Sequence, residues 1–135
     1  MAQEIIVRNV QKPREQNVAH DIEWLCESLG FITGRDTERI TTQIIRQLLH
    51  DVGNDGRAST FELADSLSIA PQRVNYHLRG LVDSGFIYRE KKLVFLREGS
   101  VRATIEELRH DANRIFDRLA AIGEEIDEAV GLKNR

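Results

Sequence analysis

The sequence contains a single cysteine, Cys26, and this scarcity excludes an internal disulfide. Small secreted domains usually depend on disulfides, so nothing in the chain indicates an oxidising compartment. No apolar run approaches the roughly 18 residues of a membrane span, and the N-terminus lacks the apolar stretch of a signal peptide. We therefore expect a cytoplasmic protein that has no membrane partner.

The motifs of catalytic and metal sites are also missing. There is no phosphate-binding glycine loop and no nucleophile with an evident base. The four histidines lie at spacings that assemble no ligand set from one helix. Cys26 falls on the apolar side of its helix, which favours a core residue over a redox sensor. We predict no enzyme activity and no metal or cofactor, and no residue pattern specifies a small-molecule effector.

Charge is distributed unevenly along the chain, although the net charge is only −3. Residues 1–56 hold 6 Lys and Arg against 9 Asp and Glu, and residues 98–135 hold the same numbers. Residues 57–97 hold 7 against 4, a net charge of +3. Because local charge governs contact with phosphates, this central segment is the candidate surface for nucleic acid.

Two helices are predicted before the basic segment. Residues 4–10 are expected to form a short strand or an ordered arm, which the Lys12-Pro13 pair ends. Apolar residues from Arg14 to Leu29 recur at helical spacing and predict an amphipathic helix. Asp36 is predicted to cap a second helix, which runs from Thr37 to about Val52.

The basic segment predicts two helices joined by a tight turn and followed by a hairpin. Ser59 is the expected N-cap of the first helix, and Glu62 completes a capping box. The second helix, 71–84, has proline at its first position and stops before a glycine. Two short strands then pair around Lys91-Lys92. This order is that of a winged helix-turn-helix, with the wing at residues 86–97.

The predicted recognition helix, 71–84, has a polar face. Arginine can bind guanine with two hydrogen bonds, while glutamine and asparagine can pair with adenine. The residues predicted to read bases are Gln72, Arg73, Asn75, Tyr76 and Arg79. The residues predicted to contact the DNA backbone, or the minor groove from the wing, are Ser59, Thr60, Arg89, Lys91 and Lys92. An exposed helix face is polar in any case, so a simple solvated surface competes with this interpretation at each single residue.

The stretch "TFELADSLSIAPQRVNYHLRGLVDSGFIYREKKLVFLREGS" resembles the winged-helix regulators of the ArsR/MarR type. The shared pattern is Leu63-Ala64, Val74, His77-Leu78, Leu81 and Gly85-Phe86-Ile87. The resemblance is greatest to archaeal members that end in an acidic helix. It implies the winged-helix fold and double-stranded DNA as a partner. Ser68 departs from the pattern, since many relatives have glycine there, and the paired cysteines or His/Asp clusters of metal-sensing relatives are absent.

A heptad pattern without a proline follows Ser100. The residues of this predicted dimer seam are Val101, Ile105, Leu108, Ala112, Ile115, Leu119, Ile122 and Ile126. A narrow seam on a helix about 45 Å long favours pairing with a second copy. The alternative is packing within the chain against the apolar side of the N-terminal helix, formed by Val18, Ile22, Leu25 and Leu29.

These observations predict a mostly α (α+β) protein with three parts. They are an N-terminal arm and helix (1–35), which could join the dimer core, a winged helix-turn-helix (36–99) with a two-stranded wing, and a coiled-coil-like dimerisation helix (100–135). The predicted function is that of a homodimeric, sequence-specific transcriptional regulator, which would be associated with the nucleoid. The alternatives are an architectural, chromatin-type DNA-binding protein of low specificity and a winged helix used as a protein-interaction module.

Overall fold

A computed structural model describes residues 3–14, 17–32 and 39–133 of the chain. Within these ranges it contains five helices and one three-stranded antiparallel sheet. The elements are α1 (Val18–Ser28), α2 (Ile40–Asp55), β1 (Ala58–Ser59), α3 (Thr60–Leu67), α4 (Pro71–Ser84), β2 (Ile87–Glu90), β3 (Leu93–Leu96) and α5 (Val101–Val130). The predicted fold class, a mostly α winged helix with a long C-terminal helix, is confirmed.

The sheet has the order β1-β3-β2. β2 and β3 form the predicted hairpin, in which Tyr88 pairs with Phe95 and Arg89 with Val94. β1 is a third strand that the sequence pattern did not predict. It is only two residues long, and Ala58 pairs with Val94 at the inner edge of the hairpin. A strand of this length is too short to show a periodic pattern in the sequence. It forms because β3 supplies its pairing partner.

The core lies between α2, α3, α4 and the inner face of the sheet. Ile44, Ile45 and Leu48 of α2 recur at helical spacing and are fully buried. The side chains around them come from α3, α4 and the hairpin: Leu63, Ala64, Val74, Leu78, Leu81, Phe86, Ile87, Val94 and Leu96. Phe31 packs edge-on against Phe86, with ring centroids 5.3 Å apart.

The predicted boundaries of α3 and α4 are confirmed, because local signals set them. The Ser59 side chain accepts a hydrogen bond from the backbone N–H of Glu62 at 3.0 Å. Pro71 is the first residue of α4. Gly85 ends that helix with φ 89°, a conformation that favours glycine. Ser100 caps α5 in the same way as Ser59 caps α3.

The boundaries of the first two helices differ from the predicted ones. α1 begins at Val18 rather than Arg14, because the Asn17 side chain accepts a hydrogen bond from Ala19 N–H at 2.8 Å and caps the helix there. α2 continues beyond Val52 to Asp55. The predicted cap at Asp36 lies outside the described residues.

The N-terminal segment is an ordered arm and forms no strand within the described residues. Arg8 N–H donates to Ser28 O at 2.7 Å. The indole N–H of Trp24 donates to Val10 O at 3.0 Å. Ile6 packs so closely over Gly30, at φ 72°, that an added Cβ would lie 2.6 Å from Ile6 Cγ2. The arm is therefore fastened to α1, which itself buries Cys26 in the core of the same chain.

The two ends of α5 have different surroundings. Thr104, Leu108 and Asp111 are buried near its start, and Leu108 belongs to the core of its own chain. The large apolar side chains further along are more than half exposed, namely Phe116, Leu119, Ile122, Ile126 and Val130. The first part of the heptad pattern thus packs within the chain, while the second part is uncovered. None of the described helices is long and apolar enough to cross a membrane.

Ser68 ends α3 in the left-handed region, at φ 53°. A residue with a Cβ is destabilised by about 1–2 kcal/mol in this conformation. Glycine has no such strain, but it increases the conformational entropy of the unfolded chain. We expect Ser68→Gly to stabilise the protein by about 0.5–1 kcal/mol in urea unfolding. The control Ser66→Gly, inside α3, should instead destabilise it by about 0.5 kcal/mol. Destabilisation by both variants would contradict the strain at Ser68.

Candidate nucleic-acid interface

The helix α4 presents one face to the core and the other to solvent. Val74, Leu78 and Leu81 are buried, which fixes the rotation of the helix. α4 has no side-chain cap at its N-terminus and no acidic residue in its first turn. The positive end of its helix dipole is therefore not neutralised locally, an arrangement that favours phosphate oxygens.

Four of the five predicted base readers lie on the exposed face of α4. Gln72, Tyr76 and Arg79 are spaced by four and three residues and so share one side of the helix. Arg73 is exposed beside them, and the Tyr76 ring is 70% exposed. A large exposed aromatic ring beside two arginines suits contact with base edges and sugars.

His77 lies between the exposed face of α4 and helix α2. Its Nδ1 lies 2.8 Å from the Thr41 hydroxyl of α2, and its ring packs edge-on against Tyr76 with centroids 5.3 Å apart. The hydrogen bond joins α4 to α2 next to the exposed tyrosine. His77 therefore positions Tyr76 and is itself only partly exposed.

The wing is a hairpin with the two-residue turn Lys91-Lys92. Both lysines are exposed, and Lys91 adopts a left-handed φ of 58°. The turn is held against α3, because Thr60 N–H donates to Lys92 O at 3.0 Å. The tip therefore presents two positive charges from a fixed position beside α3.

Arg89 occupies the inner face of the wing rather than its outer face. Side chains alternate along a strand, and Arg89 follows the buried Ile87 by two residues and pairs with the buried Val94. Its Nη2 donates to Thr60 Oγ1 at 2.9 Å and to Asn75 Oδ1 at 2.7 Å. The spacing of Ile87 and Arg89 in the sequence is the signal for this orientation, so the prediction of a direct backbone contact from Arg89 overlooks the alternation of the strand.

Other predicted DNA contacts have partners within the chain as well, among them Ser59, Thr60 and Asn75. Thr60 is only 7% exposed, and its hydroxyl accepts from Arg89. The Ser59 hydroxyl accepts from Glu62 N–H as a helix cap. Asn75 is half-buried and held by Arg89. These hydrogen bonds hold Thr60, Arg89 and Asn75 to one another, so their polar groups are partly occupied within the chain.

The segment that contains α2, α3 and α4 is similar to a known family. A family model described as winged helix-turn-helix DNA-binding matches residues 38–88. This segment is therefore similar to winged helix-turn-helix DNA-binding domains, and its elements from α2 to β2 have the corresponding fold. The match begins just before α2 and ends inside β2, so it includes the whole of α4 and leaves α1 and α5 outside. No curated protein and no solved structure matches the chain.

The match supports DNA as the partner of this winged helix-turn-helix domain. It does not distinguish the ArsR/MarR type or an archaeal subgroup, and both remain predictions. Within the described residues, no cluster of three or more His, Cys, Asp or Glu could hold a metal ion. Cys26 is fully buried, and burial raises the pKa of its thiol to about 11. The thiol is therefore protonated and unreactive at neutral pH.

Proposed function

We propose that the protein is a sequence-specific, double-stranded-DNA-binding transcriptional regulator that acts as a homodimer. The observation that carries the proposal is the exposed face of α4 with Gln72, Arg73, Tyr76 and Arg79, set in the winged helix-turn-helix domain beside the Lys91-Lys92 turn. The segment that contains both features is the only one of the three with a positive net charge.

In this proposal α4 enters the major groove. Arg73 and Arg79 are suited to the O6 and N7 acceptors of guanine, with Gln72 and Tyr76 beside them. Lys91 and Lys92 contact phosphates and set the position of the domain without reading sequence. The unneutralised N-terminus of α4 adds a further favourable interaction with a phosphate.

The dimer in this proposal forms through α5. Leu119, Ile122 and Ile126 are exposed in the single chain and continue the heptad pattern, and burying such a stripe is favourable. A second copy carries the same stripe, so a twofold axis matches apolar surface to apolar surface. Two copies of α4 would then read half-sites about 34 Å apart or a multiple of this.

Charge argues against the low-specificity alternative. Non-specific affinity comes mainly from phosphate neutralisation. The basic segment carries only +3 within a chain of net charge −3. A protein with this charge would bind DNA only weakly through phosphate contacts at physiological salt. Further affinity then has to come from base contacts such as those of Arg73 and Arg79, and these contacts make binding specific.

The experiment that tests the proposal is genomic DNA selection. Purified protein is mixed with sheared DNA of its own organism at about 150 mM salt, and the bound fragments are sequenced. A few enriched sites that share an inverted repeat would support a dimeric specific regulator. Uniform recovery would favour the architectural function, and no recovery would favour a protein-interaction module.

Arg79→Ala is expected to lower affinity for the selected site by about 1–3 kcal/mol, with little effect on random DNA. Lys91→Ala is the control, because loss of a phosphate contact should weaken all sequences similarly. Fluorescence anisotropy with both DNAs measures each variant. An equal loss on specific and random DNA for Arg79→Ala would exclude Arg79 as a base reader.

A further inference from the structure

The contact between Arg89 and Asn75 restricts what Asn75 can recognise. We propose that Arg89 is a positioning residue that turns the amide oxygen of Asn75 toward its guanidinium and leaves the amide N–H group for DNA, so that Asn75 favours guanine or thymine over adenine. This inference rests on the proposed function, because it concerns base reading by α4. It also replaces the general expectation that asparagine pairs with adenine.

Arg89 is held in place from three sides. It lies on the core-facing side of β2, opposite the buried Val94. Its Nη2 donates to Thr60 Oγ1 as well as to Asn75 Oδ1, and its Nε is buried. Thr60 in turn donates its N–H to Lys92 O. The guanidinium thus joins the wing, α3 and α4, and moving it away from Asn75 would also break its bond to α3.

The chemistry of arginine determines which way the Asn75 amide is turned. A guanidinium has donors and no acceptor, so the Asn75 atom that faces it at 2.7 Å is the carbonyl oxygen. The remaining amide group, Nδ2, has two N–H donors. No hydrogen bond from this group to another residue is found in the described part of the chain.

The bases differ in the hydrogen-bond donors and acceptors that they present to an asparagine amide in the major groove. Adenine presents the N7 acceptor together with the N6 donor, and a bidentate pair with asparagine uses both the amide oxygen and the amide nitrogen. Guanine presents two acceptors, O6 and N7, and thymine presents O4. Arg89 competes with adenine N6–H for the Asn75 oxygen and fixes its direction, whereas the two N–H donors have no such competitor. Asn75 therefore fits guanine or thymine better than adenine.

The test is selection from random duplex DNA with the full-length protein and three variants. Asn75→Ala identifies the position that Asn75 reads, as the one whose base preference it removes. In the wild type this position should hold guanine or thymine. In Arg89→Met, which keeps an apolar stem but releases the amide oxygen, adenine should gain about tenfold relative to guanine. In the double variant Asn75→Ala with Arg89→Met, the base preference at that position should equal that of Asn75→Ala alone.

Lys91→Met is the matched control on the wing, because it removes an exposed charge without touching Asn75. It should weaken all sequences and leave the base preference unchanged. Two results would overturn the inference even before Arg89 is changed. One is a wild-type preference for adenine at this position, and the other is an Asn75→Ala protein that keeps every base preference of the wild type. An Arg89→Met protein that binds all sequences more weakly with the preference unchanged would overturn it as well. If the wild type selects no sequence at all, the proposed function fails first, which is a distinguishable result.

Discussion

Replacing Asp111 with alanine is expected to destabilise the protein by about 3–5 kcal/mol. Asp111 lies on α5 and is only 3% exposed. Arg97, which follows β3, binds both of its carboxylate oxygens, and Arg114 binds one of them. Gln3 of the N-terminal arm donates to Asp111 Oδ2 at 2.8 Å and to Ser84 O at 3.1 Å. Removing the carboxylate leaves the half-buried Arg97 guanidinium without its main acceptor and leaves Gln3 with Ser84 O alone.

The stabilisation by Asp111 depends on pH. Hydrogen bonding from Arg97 lowers the pKa of the Asp111 carboxyl from 3.8 to about 2. A lowered pKa means that the folded state favours the ionised carboxylate. Its contribution, about 2–3 kcal/mol, is therefore present above pH ~4 and is lost as the pH falls through about 2.

Urea unfolding of Asp111→Ala and the wild type at pH 7 and pH 3 tests both statements. The control is Asp117→Ala, an exposed position on the same helix, which should change stability by less than about 0.5 kcal/mol. The difference between wild type and Asp111→Ala should shrink at pH 3. A loss below about 1 kcal/mol at pH 7 would show that the network contributes little to stability.

Ile122→Asp is expected to raise the dissociation constant of the proposed dimer by at least about 100-fold, which corresponds to roughly 2.7 kcal/mol. Ile122 is 54% exposed in the single chain. The substitution should therefore leave the folded protomer intact. In a twofold seam it would place two carboxylates in an apolar contact, where they have no partner.

The same variant should bind an inverted repeat no better than a single half-site, because each protomer would act alone. Ala121→Asp is the matched control, since it adds the same charge at an exposed position off the heptad seam. Sedimentation velocity measures the oligomeric state, and anisotropy with whole and half operators measures binding. A wild type that sediments as a monomer, or a dimeric Ile122→Asp, would contradict the seam.

Local signals explain the parts of the fold that could be predicted from the sequence. The Ser59 cap, the proline at the start of α4 and Gly85 at its end each act within a few residues, so the limits of α3 and α4 follow from adjacent residues alone. The exposed face of α4 follows from the spacing of Val74, Leu78 and Leu81. The predicted start of α1 at Arg14 is wrong, because Asn17, an equally local cap, begins the helix at Val18.

The parts that could not be predicted depend on residues far apart in the chain. Gln3 and Asp111 meet across 108 positions, and no pattern along the sequence connects them. The uneven burial of α5 has the same origin, because a heptad shows which side of a helix is apolar but not how much of it the rest of the chain covers.

Periodicity and capping are short-range effects, so the residue order alone predicts the helix-turn-helix, its caps and the polar face of α4. Which polar side chains of that surface are bound within the chain depends instead on how distant elements pack. Arg89 holds Asn75 because the packing of the hairpin on α3 and α4 brings a strand and a helix together. Hydrogen bonds between separate elements depend on that packing, and for this reason they decide which groups remain for DNA.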